Sequence, residues 1–465
     1  PTPPTGAFNS NNNIPTLRSL DGGGVSLRAD QELGAVNLVS ITAFRKSVFT
    51  SAFDLDRTPA NVARIDNVQR DRQFSQEVQL SSRDLTPLRW ILGGYYFHAR
   101  SAFDPSLVYT PLVTPNRVGP PTVVPSGLLA TNVGRQVTDS LAAFGQTTYA
   151  LTPLLNVTAG LRYTSEKRDI DTATVRTRVA TGALVSSDAL ADTKRFNKLT
   201  WRIALDYQLT PDSLAYLSYN RGFKSGGYNI STPDVKSPYL PETLDAYEAG
   251  LKMQLLDRRL RINPSFFYYD YRNIQVGFFP GAFGGTIGIT NGPKATIYGA
   301  DIDLEVVLAR GLKLFGGASL IHGRFGDFPN AIYSVPRAGG GNTTGTAASF
   351  GLNAQGNQLP FTSPFTGNLG LDYGVEAFGG KVTANTNLFY NDGYYAEVDN
   401  LRRVDDYVTL SASLGWTGRS GLGLRLWGKN LTNTDVVTQL GSTAGGTGIS
   451  FEPPRTYGAT LEFKF

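Results

Sequence analysis

The chain has 465 residues, of which 17% are charged, with 51 glycines, 22 tyrosines and 26 phenylalanines. That is little charge for a soluble domain, and the glycine and aromatic bias favours strands and turns over helices. No cysteine and only two histidines (His98 and His322) are present, which excludes cysteine nucleophiles and thiolate-held zinc or iron–sulfur centres. The net charge of +5 is spread along the chain without a Lys/Arg run, which gives nucleic-acid binding little support.

In chain order, residues 1–22 are rich in Pro, Asn and Gly and read as a loop, with the first strand starting near Gly23. Strict alternation follows in several segments. Leu155, Val157, Ala159, Leu161 and Tyr163 oppose Asn156, Thr158, Arg162, Thr164 and Glu166. Trp201, Ile203, Leu205, Tyr207 and Leu209 oppose Thr200, Arg202, Asp206 and Gln208. Tyr298, Ala300, Ile302, Leu304 and Val306 oppose Asp301, Asp303 and Glu305. Val408, Leu410, Ala412, Leu414 and Trp416 oppose Tyr407, Thr409, Ser411 and Ser413. A side-chain period of two marks a strand with one apolar and one polar face. These runs last about ten residues, the length that crosses a bilayer with tilt, whereas soluble strands average five or six.

Connections alternate in length. Short ones fall around residues 33–34, 84–87, 152–153, 210–213, 257–258, 309–311, 377–380 and 418–421. Longer polar stretches fall around 49–73, 104–134, 173–195, 227–241, 279–292, 328–361, 394–405 and 435–449. Tight turns at one end and long loops at the other are the habit of outer-membrane barrels. About seventeen strands are predicted in all, an odd number where bacterial single-chain barrels use even ones. The expected organisation is therefore an extracellular loop at 1–22 after a strand outside this chain, then an incomplete transmembrane antiparallel β-barrel over 23–465. The last strand places Tyr457, Ala459, Leu461, Phe463 and Phe465 on one face, and its aromatic end resembles the signal read by barrel-assembly machinery.

Several segments, in order, resemble the TonB-dependent receptors, in particular their sphingomonad and caulobacter type. They are LNVTAGLRYTSEKRD (155–169), LAYLSYNRGFKSGGYN (214–229), the stretch from LPETLDAYEAGL to YRNIQV (240–276), NGPKATIYGADIDLEVVL (291–308), LPFTSPFTGNLGLDY (359–373) and WGKNLTNTD (427–435). The resemblance implies a barrel of about 22 strands, of which this chain holds about seventeen. It also implies a plug domain and TonB box, which nothing here matches, and uptake of a scarce ligand. A ferric siderophore leads, with cobalamin or an oligosaccharide as other options. Energy would come from the TonB–ExbB–ExbD complex acting through the plug, with outer-membrane lipid and the ligand as the other partners. A passive diffusion channel and a surface adhesion β protein are the alternatives.

No catalytic motif, metal ligand set or cofactor site is expected. Arg221, Phe223, Lys224, Tyr228 and Asn229 form the ligand-side candidate, because basic and aromatic groups at an extracellular mouth could grip an anionic chelate. Glu248, Lys252, Asp301, Asp303, Glu305, Arg162 and Arg202 are expected as lumen charges. Tyr268, Tyr269, Tyr271, Phe278 and Phe279 are expected in the outer interfacial girdle. The Gly/Asn/Thr-rich loop 336–358 could close over ligand.

Overall fold

A computed structural model describes Gly6, Phe8, Asn9, Asn12 and residues 14–54, 64–83, 87–110, 113–114, 122–123, 127–231, 236–278, 288–338, 341–443 and 446–464. Among the described residues, seventeen long strands make one antiparallel meander, each pairing with its neighbours in that series. They are β1 (Leu17–Leu33), β2 (Val36–Asp54), β3 (Arg64–Ser82), β4 (Leu88–Thr110), β5 (Leu128–Thr152), β6 (Leu155–Arg178), β7 (Leu184–Thr210), β8 (Ser213–Lys224) and β9 (Glu242–Leu255). The others are β10 (Leu260–Arg272), β11 (Ala295–Ala309), β12 (Leu312–Phe325), β13 (Phe365–Ala377), β14 (Gly380–Asn391), β15 (Tyr407–Gly418), β16 (Leu422–Lys429) and β17 (Thr456–Phe463). Among the described residues no ladder joins β1 to β17.

Register fixes the two faces. Leu161 stands opposite Trp201, Ile203 opposite Tyr219, and Leu217 opposite Leu205, so the apolar sets of neighbouring strands share one side. That side is open: Phe266 is 64% exposed and Leu461 73%. The other side is polar. Thr158, Thr164 and Ser218 on it are buried, and Arg162, Arg202 and Glu248 belong to the same rows. Oily side chains that face outward from a sheet this large need lipid, since their exposure to water would make an apolar surface far beyond that of a soluble protein.

A row of rings crosses the apolar side. Trp201 and Tyr219 lie 6.2 Å apart edge-on, Tyr219 and Tyr247 stack at 4.6 Å, and Tyr247 and Tyr268 lie at 6.4 Å. Tyr268 stands opposite Tyr298, whose ring is 4.8 Å from His322. Tyr268 is thus a girdle residue, but Tyr269 and Tyr271 are not. A period of two turns them to the polar side, where Tyr271 packs beneath the loops. Phe278 belongs to a short ladder above the wall, 275–278 with 288–291, and Phe279 lies outside the described residues.

Three further expectations change. β1 begins at Leu17, so residues 17–22 pair with β2 instead of forming a loop. The stretch 173–195 is mostly strand, because the β6–β7 hairpin runs on to Arg178 and Leu184 before turning at Gly182 (φ +67°). The stretch 49–73 is likewise strand up to Asp54 and again from Arg64. Polar, β-branched sequence keeps a ladder going above the membrane as well as in it. The expected short turns are where the sequence placed them, except that of 84–87, of which residues 84–86 lie outside the described residues. At one, Gly311 (φ +76°) lies so close to the chain that an added Cβ would stand 2.0 Å from the Gly374 carbonyl.

The hydrophobic cluster lies above the wall. Phe325, Phe328, Ala331, Tyr333, Leu359 and Val398 pack where residues 326–364 and 392–406 meet the tops of β11 and β12.

Candidate functional site

All seven expected lumen charges lie on the polar face. Glu305 receives Arg261 at 3.2 Å and Lys313 at 3.3 Å, and Lys313 also lies 3.7 Å from Asp372. Ser319 donates to Asp301 at 2.5 Å, and Tyr216 donates to Glu248 at 2.6 Å while its ring lies under Lys252. Arg202 donates to Asn220 at 2.9 Å. Arg162 sits over the rings of Tyr95 and Phe144, at 5.5 and 5.4 Å. These pairs make a polar lattice, with Asp303 left facing solvent. The same face of β7 carries two cations that the sequence reading missed, Lys194 and Lys198, neither of which has an ion-pair partner among the described residues. Both share the parity of Arg202, so extending that alternation by eight residues would have found them.

The five ligand-side candidates do not converge. Arg221 and Phe223 share the parity of Tyr219 and lie on the apolar face. There the Arg221 guanidinium pairs with the buried carboxylate of Asp245, Nε to Oδ1 at 2.7 Å, and covers the Trp201 ring at 4.4 Å. Tyr219 donates to the same carboxylate at 3.0 Å. An arginine on the apolar side is thus neutralised and capped at the ring row, and it cannot reach a ligand on the polar side. Lys224 does face the polar side, exposed and without a partner among the described residues.

Tyr228 and Asn229 are buried because the chain after β8 folds back over the polar face. Gly227 and Tyr239 bridge each other through their backbones at 3.1 and 2.9 Å. A Cβ on the preceding Gly226 would stand 2.4 Å from the Tyr239 carbonyl oxygen, so only glycine there lets the two segments meet. The Tyr228 hydroxyl donates to Asp192 on β7 at 2.8 Å, and its backbone N–H donates to Gln136 on β5 at 3.2 Å. Thr172 on β6 donates to the Ile230 carbonyl at 2.6 Å. Asn229 exchanges two hydrogen bonds with the backbone of Ile289, at 3.0 and 2.7 Å. Burial, then the adjacent Asp192 carboxylate, pushes the Tyr228 phenol above its ordinary range. Tyr228 and Asn229 therefore fasten this segment across the mouth.

A second fastening joins three loops through Arg402. Its guanidinium meets Glu397 at 3.0 Å and Asp399 at 3.6 Å within its own loop. It donates to the Ser334 carbonyl at 2.9 Å and to Asn342 at 2.8 Å in the loop 326–364. It donates to Thr447 at 3.2 Å in the loop 430–455. Glu397 also accepts from Ser442, and Asp399 from the Ser334 N–H. Burial pushes the Asp399 carboxyl up, against its backbone donors and Arg402. No local sequence pattern announces this hub, because its partners lie 60 or more residues away in the chain for Ser334 and Asn342. Much of the stretch 336–358 is in this canopy: Asn342–Thr346 pairs with Ile332–Pro336, followed by a single 3-10 turn.

The family described as "TonB dependent receptor-like, beta-barrel" matches residues 2–431. Among curated proteins, the pesticin receptor of Yersinia enterocolitica is 21% identical over 308 residues, 64% of this chain and 40% of that receptor. Among solved structures, the ferric yersiniabactin uptake receptor FyuA from Yersinia pestis superposes with a TM-score of 0.75 at 18% identity, covering 97% of this chain and 62% of that one. The siderophore receptor PiuA from Acinetobacter baumannii gives 0.69 at 15% identity, covering 97% and 65%. The chain thus spans under two thirds of the length of these relatives, and the superpositions share its fold. With a single antiparallel meander, an oily outer side and a matching profile over nearly its whole length, the chain belongs to the TonB-dependent receptor-like β-barrel family, proteins of the bacterial outer membrane.

Proposed function

We propose that this chain is the barrel portion of a TonB-dependent receptor that takes up an anionic ferric siderophore. The family match over residues 2–431 carries the reading. The relatives named above are described as receptors for pesticin, ferric yersiniabactin and a siderophore. In this reading the polar face lines the lumen, and Lys194, Lys198 and Lys224 supply positive charge beneath the fastened loops. A ferric chelate with excess carboxylate or phenolate charge suits such a lining, which raises its local concentration. Coupling to TonB–ExbB–ExbD would act through a plug domain, and the reading contains no catalytic step.

The test is iron-55 uptake by cells expressing the whole receptor, with and without TonB. Energy-dependent uptake of a ferric siderophore supports the reading. Uptake of iron chelates that is unchanged without TonB, or transport of cobalamin or oligosaccharide alone, overturns it.

A further inference from the structure

Outward-facing cations above the apolar side are treated differently on the two parts of the wall. On β5 and β6 they are matched: Arg135 meets Asp171 at 3.3 Å, and Lys167 meets Asp169 at 2.8 Å. On β2, β3 and β4 one row is not. Lys46 stands directly opposite Arg72, and Arg72 directly opposite Arg100. Adjacent strands lie about 4.8 Å apart, so three positive charges share a row about 10 Å long. None of the three has an ion pair or a side-chain hydrogen bond among the described residues. Like charges directly opposite on one face destabilise a sheet. The row is therefore a cost to the isolated protein, and an anion would relieve it.

Its position says where the anion comes from. One step toward the short turns, the same face presents Phe44 opposite Phe74, and Phe74 lies 6.3 Å from Tyr96. Val25 stands beside Phe44 in the same row, and it and Leu27 and Leu92 below are exposed. The row thus sits at the upper border of the oily belt, on the long-loop side, where lipid headgroups lie. Beside it, Gly23 stands opposite Lys46, and a Cβ there would meet nothing within 4 Å. The wall is bare at that point and leaves room next to the cations.

We propose that Lys46, Arg72 and Arg100 form a docking row for the phosphate groups of an anionic glycolipid in the outer leaflet. Arg70, which lies in the next outward row and meets Asp104 at 3.4 Å, flanks it. The source is a lipid and not free phosphate, because the row is continuous with the lipid-facing belt. Two guanidinium forks and one ammonium suit phosphoryl oxygens, which accept paired N–H donors. This inference is independent of the transported ligand and needs only the outer-membrane placement.

The test uses the whole receptor in detergent micelles, with bisphosphorylated lipid A as the probe and native mass spectrometry as the readout. Each cation near a charged lipid surface contributes about fivefold in affinity, so the triple variant K46Q/R72Q/R100Q is expected to lose roughly a hundredfold. Dephosphorylated lipid A should be retained no better by the parent than by the triple variant. The control R135Q/K167Q, on the matched part of the wall, should bind like the parent. R72Q alone serves as the milder variant, with an expected loss of about fivefold, and heat-dependent gel mobility verifies folding of each. Equal retention of the bisphosphorylated lipid by parent and R72Q, or retention of the dephosphorylated lipid by the parent as strong as that of the bisphosphorylated one, overturns the proposal. Displacement of lipid A by an equal concentration of inorganic phosphate overturns the lipid source.

Discussion

At the scale of single residues, Arg402 is the group whose removal the loops can least absorb. Its guanidinium is almost fully buried, as is Asp399, and it is the shared donor for three loops. Truncating one partner of a buried ion pair costs about 3–5 kcal/mol, because the other charge is left unpaired. R402A should therefore loosen the loops 326–364, 392–406 and 430–455 without unfolding the wall. Limited proteolysis should cut these loops much faster than in the parent, while heat-dependent gel mobility stays unchanged. Coincident loss of both would show that the hub supports the barrel itself. Tyr228 invites a different test. Its raised phenol value means the fold favours the neutral form. The contact is then complete below about pH 10, the unfolded value, and is lost as pH climbs through the higher folded value. Because the chain has no native cysteine, S231C gives a single spin-label site beside this anchor. The label should gain mobility only on the alkaline side, whereas Y228F, lacking the Asp192 hydrogen bond, should be mobile at neutral pH.

At the scale of elements, the two faces of β11 give the sharpest contrast. Ala300 points to the oily side and Asp301 to the polar side, one residue apart. An arginine on the lipid face near mid-depth costs about 2–4 kcal/mol. A300R should lower folding stability in vesicles by about that amount in a denaturant titration. D301R should change it little, and equal effects would mean that the faces are misassigned. This alternation is also why the wall was legible in the sequence. Seventeen strands, the short turns and the faces of Arg162, Arg202, Glu248 and Asp301 all follow from a period of two. The same rule corrects the girdle, since Tyr268 and Tyr269 cannot both face lipid. Strand ends were less legible. Hydropathy marks where lipid stops, not where hydrogen bonding stops, so β6 and β7 continue through a stretch that composition alone assigns to loop.

At the scale of the whole molecule, the wall and the loops answer to different physics. The wall repeats every two residues and is set by lipid on one side. The loops have no period, and their order comes from contacts such as Tyr228–Asp192 and Arg402–Ser334, 36 and 68 residues apart. That is why the ligand-side candidates were chosen by residue type and then divided between both faces. What survives of the site is the polar face under the fastened segment, where Lys194 lies opposite Arg168 and Lys198 opposite Thr164. Arg168 is held by Glu166 at 2.7 Å, which leaves the lysines to act on what enters. Charges in a recess act on a diffusing anion over about a Debye length, roughly 8 Å at physiological salt. K194Q/K198Q in the whole receptor should therefore slow association of an anionic ferric chelate several-fold at low salt. The difference should shrink as salt rises, and dissociation should change less than association. Stopped-flow fluorescence quenching at two ionic strengths reads both rates. If the variant differs from the parent only in dissociation, the lysines contact the bound chelate directly. An unchanged association rate at low salt would remove this strip from the entry route.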